Sequence, residues 1–202
     1  MRTVWITLLC SSCALADVEP AEARVCPTMA VESAEDLREA RACSEIDGDL
    51  VLRSNTLERV ELPQLRRVRG SLISVGARLA REIVLPQLRE VGTEGGENLL
   101  EIGFDADSLQ RIAMPELRVV HGSLGIAALG GLRELDLRSL ERVDEKLGLI
   151  NLPQLDRLLM PDGVAADGGS WFELLCELDD DELPRTQGPE PELRACEPVK
   201  TR

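Results

Sequence analysis

The sequence predicts a mainly β fold: a right-handed parallel β-helix, or leucine-rich solenoid, of about five coils, with short helical caps at both ends. Three observations predict it. A unit of about 23 residues recurs roughly five times across residues 46–166, and a fixed period of this size marks a stacked solenoid. Within each unit the apolar residues are spaced mostly by two or three, which is strand alternation interrupted by corners; no helical period outlasts a turn. The same residue types also return at the same positions, so stacked units place like on like.

The units align on a short anchor: LPQL at 62–65, LPQL at 85–88, MPEL at 114–117, LRSL at 137–140 and MPDG at 160–163. Its second residue (Pro63, Pro86, Pro115, Arg138, Pro161) is spaced by 23, 29, 23 and 23. Three before it stand Val60, Ile83, Ile112, Leu135 and Leu158; five after it stand Val68, Val91, Val120, Val143 and Ala166. A second short run opens each unit and aligns Leu50, Leu72, Leu100, Leu124 and Leu147, then Leu52, Ser74, Ile102, Ile126 and Leu149. Each unit therefore reads as one coil of two or three very short strands, pairing in parallel with the next coil at about 4.8 Å. Proline has no N–H, so the anchor belongs at a corner where no ladder bond is needed. Gly48, Gly70 and Gly122 suit the opposite bend, where positive φ is in demand. The slip from 23 to 29 is localised. Five of its six extra residues fall in GTEGGEN, 92–98, between Val91 and Leu100, as expected of a loop bulging from one corner.

These residues resemble a known family. The run C-x-x-I-x-G-D-L-V-L at 43–52, followed by L-x-x-V-x-L-P-x-L-x-x-V-x-G-S-L, is similar to the receptor L-domain, the leucine-rich β-helix of growth-factor receptor ectodomains. Similar coils occur in secreted bacterial and fungal wall proteins. The segment from Cys26 to Cys43, with the helix-like AEDLREARAC, matches that family's disulfide-tied cap helix. The resemblance implies the fold; it carries over no ligand-contacting residue, and fold does not imply function.

Residues 1–16 read as a signal peptide, with Arg2 before an apolar VWITLL and an Ala14-Leu15-Ala16 cleavage site. A lipoprotein reading, with Cys13 acylated, is the alternative. Residues 17–45 form the N-terminal cap, 46–166 the solenoid, and 167–202 a C-terminal cap helix with an acidic, proline-rich tail. Cleavage leaves Cys26, Cys43, Cys176 and Cys196, for which three pairings exist. Their placement as two local pairs flanking the solenoid favours Cys26–Cys43 and Cys176–Cys196, in an oxidising compartment; free buried thiols are the other reading. Ser33 and Asp36 form a capping box for a helix from about Ala34 to Ala42, and Ser170 with Glu173 a second one. Trp171 and Phe172 would then plug the last coil or stack on a ligand. No segment is long and apolar enough to span a bilayer. The net charge of −14 argues against nucleic acid as a partner.

A search for chemistry finds no catalytic constellation and no cofactor motif. The single histidine, His121, falls at a coil junction and reads as an exposed bend residue, with Ser123 and Ser71 as its only conceivable nucleophile partners. A zinc site is disfavoured because the cysteine pairs lie far apart. A carboxylate-dependent hydrolase is the weakest alternative. The charges instead alternate in sign down the stack: Arg59, Glu82, Arg111, Glu134, Arg157, and beside them Glu58, Arg81, Gln110, Arg133, Asp156. One row breaks the rule, Arg66, Arg89 and Arg118 before Glu141; either Glu90 and Glu116 neutralise it or it faces an acidic partner. The second candidate surface is the 92–98 loop with Glu94 and Glu97, taken with Asp105 and Asp107, where calcium is conceivable although no recognised loop spacing is present. The reading is an exported, non-catalytic module binding an unidentified protein or glycan, periplasmic, surface-held or secreted. A structural envelope protein is the alternative.

Overall fold

The computed structural model describes residues 23–173, Leu175, Leu178, 183–187 and 192–194. Residues 1–16, where a signal peptide is expected, and with them Cys13, lie outside the described residues, as do Cys176 and Cys196. The chain opens with β1 (Val25–Val31) and α1 (Ala34–Ala40). Coils then follow: β2 (Glu45–Leu52), β3 (Arg59–Glu61) and β4 (Arg67–Val68); β5 (Leu72–Val75), β6 (Glu82–Val84) and β7 (Glu90–Val91). Next come β8 (Asn98–Gly103), β9 (Arg111–Ala113) and β10 (Val119–Val120); β11 (Gly122–Ala127), β12 (Glu134–Asp136) and β13 (Arg142–Val143). The stack continues through β14 (Leu147–Ile150), β15 (Arg157–Leu159) and β16 (Val164–Ala166) to β17 (Ser170–Glu173), β18 (Thr186–Gln187) and β19 (Glu192–Arg194).

All pairings are parallel, and together they make a β-solenoid of about seven turns. Three ladders run along it. The broad one joins β1, β2, β5, β8, β11, β14, β17 and β19; the second joins β3, β6, β9, β12 and β15; the third runs from the start of β2 through β4, β7, β10, β13 and β16 to β18. The register is the one the repeat predicts. Leu50, Leu72, Leu100, Leu124 and Leu147 are direct neighbours, as are Val60, Ile83, Ile112, Leu135 and Leu158. Nearly all of these side chains are buried, each worth about 1.5–3 kcal/mol of apolar transfer.

The anchor prolines do sit at a corner. In four consecutive coils the residue before the second position donates across to the next coil, as Leu62 N–H does to Val84 O at 3.1 Å and Leu137 N–H to Leu159 O at 2.7 Å. Three residues on, Leu65 N–H closes the turn on Leu62 O, so Pro63 has no bond to lose. A third LPQL, at 152–155, makes the same turn (Leu155 N–H to Leu152 O, 3.1 Å) at a different corner. The tetrapeptide encodes a bend, and the period decides where the bend falls.

The corner leaving the broad ladder takes a left-handed residue after β5, β8, β11 and β14, though not after β2: Gly76 (φ 73°), Ala128 (55°) and Asn151 (55°) serve three of these four coils. The third coil uses two, Phe104 (49°) and Asp105 (56°), which accounts for the sixth extra residue of the slipped period. Gly48 and Gly122 have the positive φ expected of them, at 134° and 128°. Gly70 does not; it is required by close approach, since a Cβ there would lie 2.2 Å from Asp49 Oδ1 and 2.6 Å from the Gly48 carbonyl carbon.

Both ends are closed differently from one another. At the start, Ser33 and Asp36 form the capping box: Ser33 N–H donates to Asp36 Oδ2 at 2.9 Å and Asp36 N–H to Ser33 Oγ at 3.3 Å. The Ser33 hydroxyl, which donates to Asp36 Oδ2 at 2.8 Å, followed by the Glu32 and Ser33 N–H groups, holds the Asp36 carboxyl below its usual range. Leu37 and Ala40 of α1 turn inward and seal the core, and a Cys26–Cys43 disulfide ties the cap to the first coil. Pro27 and a register shift between Pro27 and Met29 blunt the exposed edge of β1. At the other end the described residues hold no cap helix where one is expected. Residues 170–173 form β17, paired with β14 and β19. Ser170 and Phe172 are buried and Trp171 half-buried, a period of two, and Phe172 extends the column of Leu149. Pairing with a preceding strand outweighs the capping-box signature, and it adds turns beyond the five of the sequence repeat.

Candidate binding surfaces

The outward residues of the three ladders differ in kind. On the second ladder the charged column is in register as the alternation requires. Arg59 Nη1 lies 3.0 Å from Glu82 Oε2, an ion contact whose angle makes no hydrogen bond. Glu134 is held from both sides, by Arg111 at 3.2 Å and Arg157 at 3.5 Å. The ladder is interrupted between Glu82 and Arg111, where no ion pair forms. The parallel column of Glu58, Arg81, Gln110, Arg133 and Asp156 is joined through its backbone, as Arg81 N–H to Glu58 O at 2.7 Å. Among the described residues its side chains make no ion pairs, so its sign alternation contributes far less than the first column's. Exposed pairs of this kind are worth about 0.2–1 kcal/mol each.

The arginine row occupies the corner between the second and third ladders. Arg89 N–H donates to Arg66 O and Arg118 N–H to Arg89 O, both at 2.9 Å, so the three stack directly. Their guanidiniums are not left unopposed. Arg66 donates to Gln87 Oε1 at 3.3 Å, Arg89 faces Glu116 at 4.0 Å, and Arg118 faces Glu141 at 3.6 Å. Glu90, the other expected neutraliser, turns to Arg67 instead, at 2.8 Å. The row ends at a cleft of about 380 Å³ between Arg118, Arg138, Glu141, Pro161 and Asp162. Arg138 and Arg118 are already engaged by Asp136 and Glu141 there.

The loop and the two aspartates do not form one surface. Glu94 and Glu97 are exposed on the loop before β8; Asp105 and Asp107 are exposed beyond its far end. Six residues of β8, at about 3.3 Å each, separate them. Asp105 faces Arg78 at 3.5 Å, and no group of three or more metal-ligating side chains comes together among the described residues.

Two arrangements were not anticipated. His121 is 8 % exposed rather than an exposed bend residue. Its Nδ1 lies 2.8 Å from Asp144 Oδ2 and its Nε2 3.1 Å from Glu90 Oε1, so coils on both sides hold it. Neither serine reaches it: Ser123 donates to Glu145 at 2.8 Å, and Ser71 accepts from Leu99 N–H at 3.1 Å. The second is Asp136, 2 % exposed, which accepts two bonds from Arg138 at 2.6 and 2.9 Å. Burial pushes the Asp136 carboxyl up, but the Arg138 bonds and the nearby Arg111 outweigh it and hold it below the usual carboxylate range. The sequence signal was there in part: an aspartate in the column of Val84, Ala113 and Leu159 coincides with the one anchor that lacks proline.

The broad ladder presents a different surface. Its outward column reads Val51, Ile73, Glu101, Gly125, Gly148, Trp171, and the next reads Val75, Gly103, Ala127, Ile150, Glu173. Lys146 Nζ lies 5.5 Å from the centre of the Trp171 ring, within cation–π range. Small and apolar groups therefore form a flat face, while the second ladder's face is charged in every coil. No family model, no curated protein and no solved structure matches this chain.

Proposed function

We propose that the protein is a non-catalytic, exported binding module that recognises a protein or glycan partner at the cell envelope through the outer face of its broad sheet. The observation that carries this reading is the contrast between faces. From β2 to β17 these two columns hold only Glu101 and Glu173 as charges, with Val51, Ile73, Val75, Ile150 and Trp171 around them, and β19 adds Glu192 and Arg194 in register at the end of the stack. A contiguous, weakly charged face on a chain with 30 % charged residues is the surface most economically explained by a partner. The likeness of the repeat to receptor L-domains fits the same reading. So does the state of the chemistry-bearing residues: His121 is committed to carboxylates, Ser123 to Glu145, and Cys26 to Cys43. The disulfide and the leader-like residues 1–16 support export, and no described helix is long and apolar enough to cross a membrane.

The test is retention of a partner from the source organism's envelope fraction, with a glycan array alongside. Ile73→Glu and Trp171→Ala are expected to abolish binding, whereas Arg89→Glu is expected to leave it intact. Loss with Arg89→Glu alone would move the site to the arginine corner. If no variant changes retention, the structural reading gains ground. Intact mass of the exported protein separates the two modes of display, since acyl mass on Cys13 marks an anchor.

A further inference from the structure

The outer face of the broad ladder is lopsided along the stack. In one outward column Val51, Ile73 and Glu101 stand on β2, β5 and β8, followed by Gly125 and Gly148 on β11 and β14, then Trp171 on β17. The first half is raised, and the second holds a hollow two strands wide. Neither glycine is needed for a left-handed backbone, since neither has a positive φ. Nor is either there for want of space. A Cβ on Gly125 would meet nothing within 4 Å, and one on Gly148 only ordinary contacts, the nearest Ile150 Cδ1 at 3.6 Å. Gly103 differs, since a Cβ there would lie 2.4 Å from Ala127 O. Glycine weakens a strand interior, and where the fold does not require it, it marks close approach by another group.

The neighbouring outward column is antisymmetric in charge. It runs Arg53, Val75, Gly103, Ala127, Ile150, Glu173, with Arg53 one residue past the end of β2 and the Leu52–Ser74 pair. A base stands at one end and an acid at the other, with an aliphatic residue inside each and the two smallest residues at the centre. The register carries the pattern one coil further at each end, placing Glu32 beside Arg53 and Arg194 beside Glu173. Read from either end, the sizes repeat and the charges reverse.

Such a column is complementary to itself. A two-fold axis lying in the face, parallel to the strands and midway between β8 and β11, sets β2 on the partner's β17, β5 on its β14 and β8 on its β11. Val75 then meets the partner's Ile150, and Arg53 the partner's Glu173. In the other column the same axis sets Ile73 into the hollow over the partner's Gly148, Glu101 over the partner's Gly125, and Val51 against the partner's Trp171. One axis therefore accounts for both columns. The six strands from β2 to β17, about 4.8 Å apart, and about five residues of each at about 3.3 Å give a face of about 500 Å², or about 1,000 Å² for two copies. That is the lower end of specific interfaces, the range of a weak, concentration-dependent dimer.

We propose that the occupant of the broad face is a second copy of this chain, packed face to face about that axis. The proposal rests on the reading that this face binds, and it names a protein as the occupant rather than a glycan. Isologous packing makes every contact twice. Glu101 limits the affinity: it stands beside the axis, about one strand spacing from its own symmetry mate, and like charges brought together at an interface repel. Lys146, the one lysine among the described residues, is engaged over the Trp171 ring at 5.5 Å.

Sedimentation velocity of the full chain, from micromolar to millimolar, reads the association directly. The wild type is expected to pass from monomer to dimer. Gly125→Val and Gly148→Val fill the hollow with a residue that suits a strand. Each is expected to melt at or above the wild-type temperature when dilute, yet to stay monomeric throughout, as is Ile73→Glu. Arg53→Glu is expected to weaken the dimer several-fold, Arg53→Glu with Glu173→Arg to restore it, and Glu101→Gln to tighten it. A wild type that stays monomeric overturns the proposal, as does a dimer that survives both glycine variants. Neither result decides the broad-face reading, which retention from the envelope fraction tests separately: a foreign protein or glycan held by the wild type and lost with Ile73→Glu keeps that reading while the dimer falls. If a glycine variant melts well below the wild type, the charge exchange decides alone, and no recovery in the double variant overturns the proposal.

Discussion

Arg138 and Asp136 are a coupled departure from the repeat. Arg138 stands where other coils carry proline, and its guanidinium grips the buried Asp136 two residues earlier with bonds of 2.6 and 2.9 Å. In register with Asp136 the neighbouring coils place Ala113 and Leu159. The pair therefore predicts an asymmetry. Arg138→Ala leaves a carboxylate that is 2 % exposed without its partner. It should cost about 1–3 kcal/mol, less than a fully buried pair because the guanidinium is largely exposed. Asp136→Ala leaves only an exposed arginine and should cost less. The double variant Asp136→Ala, Arg138→Pro restores the ordinary repeat and should recover most of the loss. Urea unfolding of the four proteins checks this, and equal costs for the two single variants would refute it.

The same carboxylate gives the fold an acid limit. Asp136 and Asp36 are both held below the usual range. A group depressed in the folded state contributes stability that is complete above its unfolded value, about 3.9 for aspartate. That contribution is lost as pH falls through the lower, folded value. Melting temperature should therefore drop steeply below about pH 4, and the drop should be shallower in the Asp136→Ala, Arg138→Pro double variant. Thermal melts across the acid range measure both slopes; parallel curves would assign the acid limit to other groups.

The repeat was legible because each core column is set by a local rule. Apolar spacing of two or three gives inward positions, and stacking multiplies them, so the columns Leu50 to Leu147 and Val60 to Leu158 align from the sequence alone. The alternating Arg59-to-Arg157 column was legible for the same reason, although the sequence could not show that Glu82 and Arg111 stay apart. What misled were signals read one segment at a time. SWFE carries a capping box and a strand's alternation at once, and only pairing with β14 decides between them. His121 looked like a bend because its neighbours are a valine and a glycine. Its partners, Glu90 and Asp144, lie 31 and 23 residues away, on adjacent coils. The loop and Asp105/Asp107 seemed one site because both depart from the period; β8 holds them apart.

The disulfide closes α1, the one helix among the described residues, onto the first coil. Cys26 and Cys43 are 17 residues apart in sequence, and in the chain-entropy picture a loop of that size is worth about 3 kcal/mol. α1 is seven residues long, too short to persist without packing. Reduction, or Cys26→Ser with Cys43→Ser, should therefore melt the cap first and uncover Leu37, Ile46 and Leu50. The expected signature is an early loss of amide protection in residues 25–45 with the later coils intact. Simultaneous loss across the whole stack would mean that the cap and coils unfold as one cooperative unit.

Ser74 is the clearest place where the core falls short. It lies between Leu52 and Ile102 in the inward column of the broad ladder, fully buried, and its hydroxyl has no hydrogen-bond partner. A buried hydroxyl without a partner carries a desolvation penalty of about 1–3 kcal/mol. Ser74→Ala removes the oxygen and little volume, so it should raise stability by about 1 kcal/mol, a shift of about 2–4 °C for a domain of this size. Ser74→Val adds the methyls that every neighbouring coil supplies, and should gain more if the column has room for them. The comparison of the two is informative. A gain for alanine with a loss for valine would show that serine is there because the column is narrow at that coil. Losses for both would mean that the hydroxyl is satisfied, and the core complete, without either change.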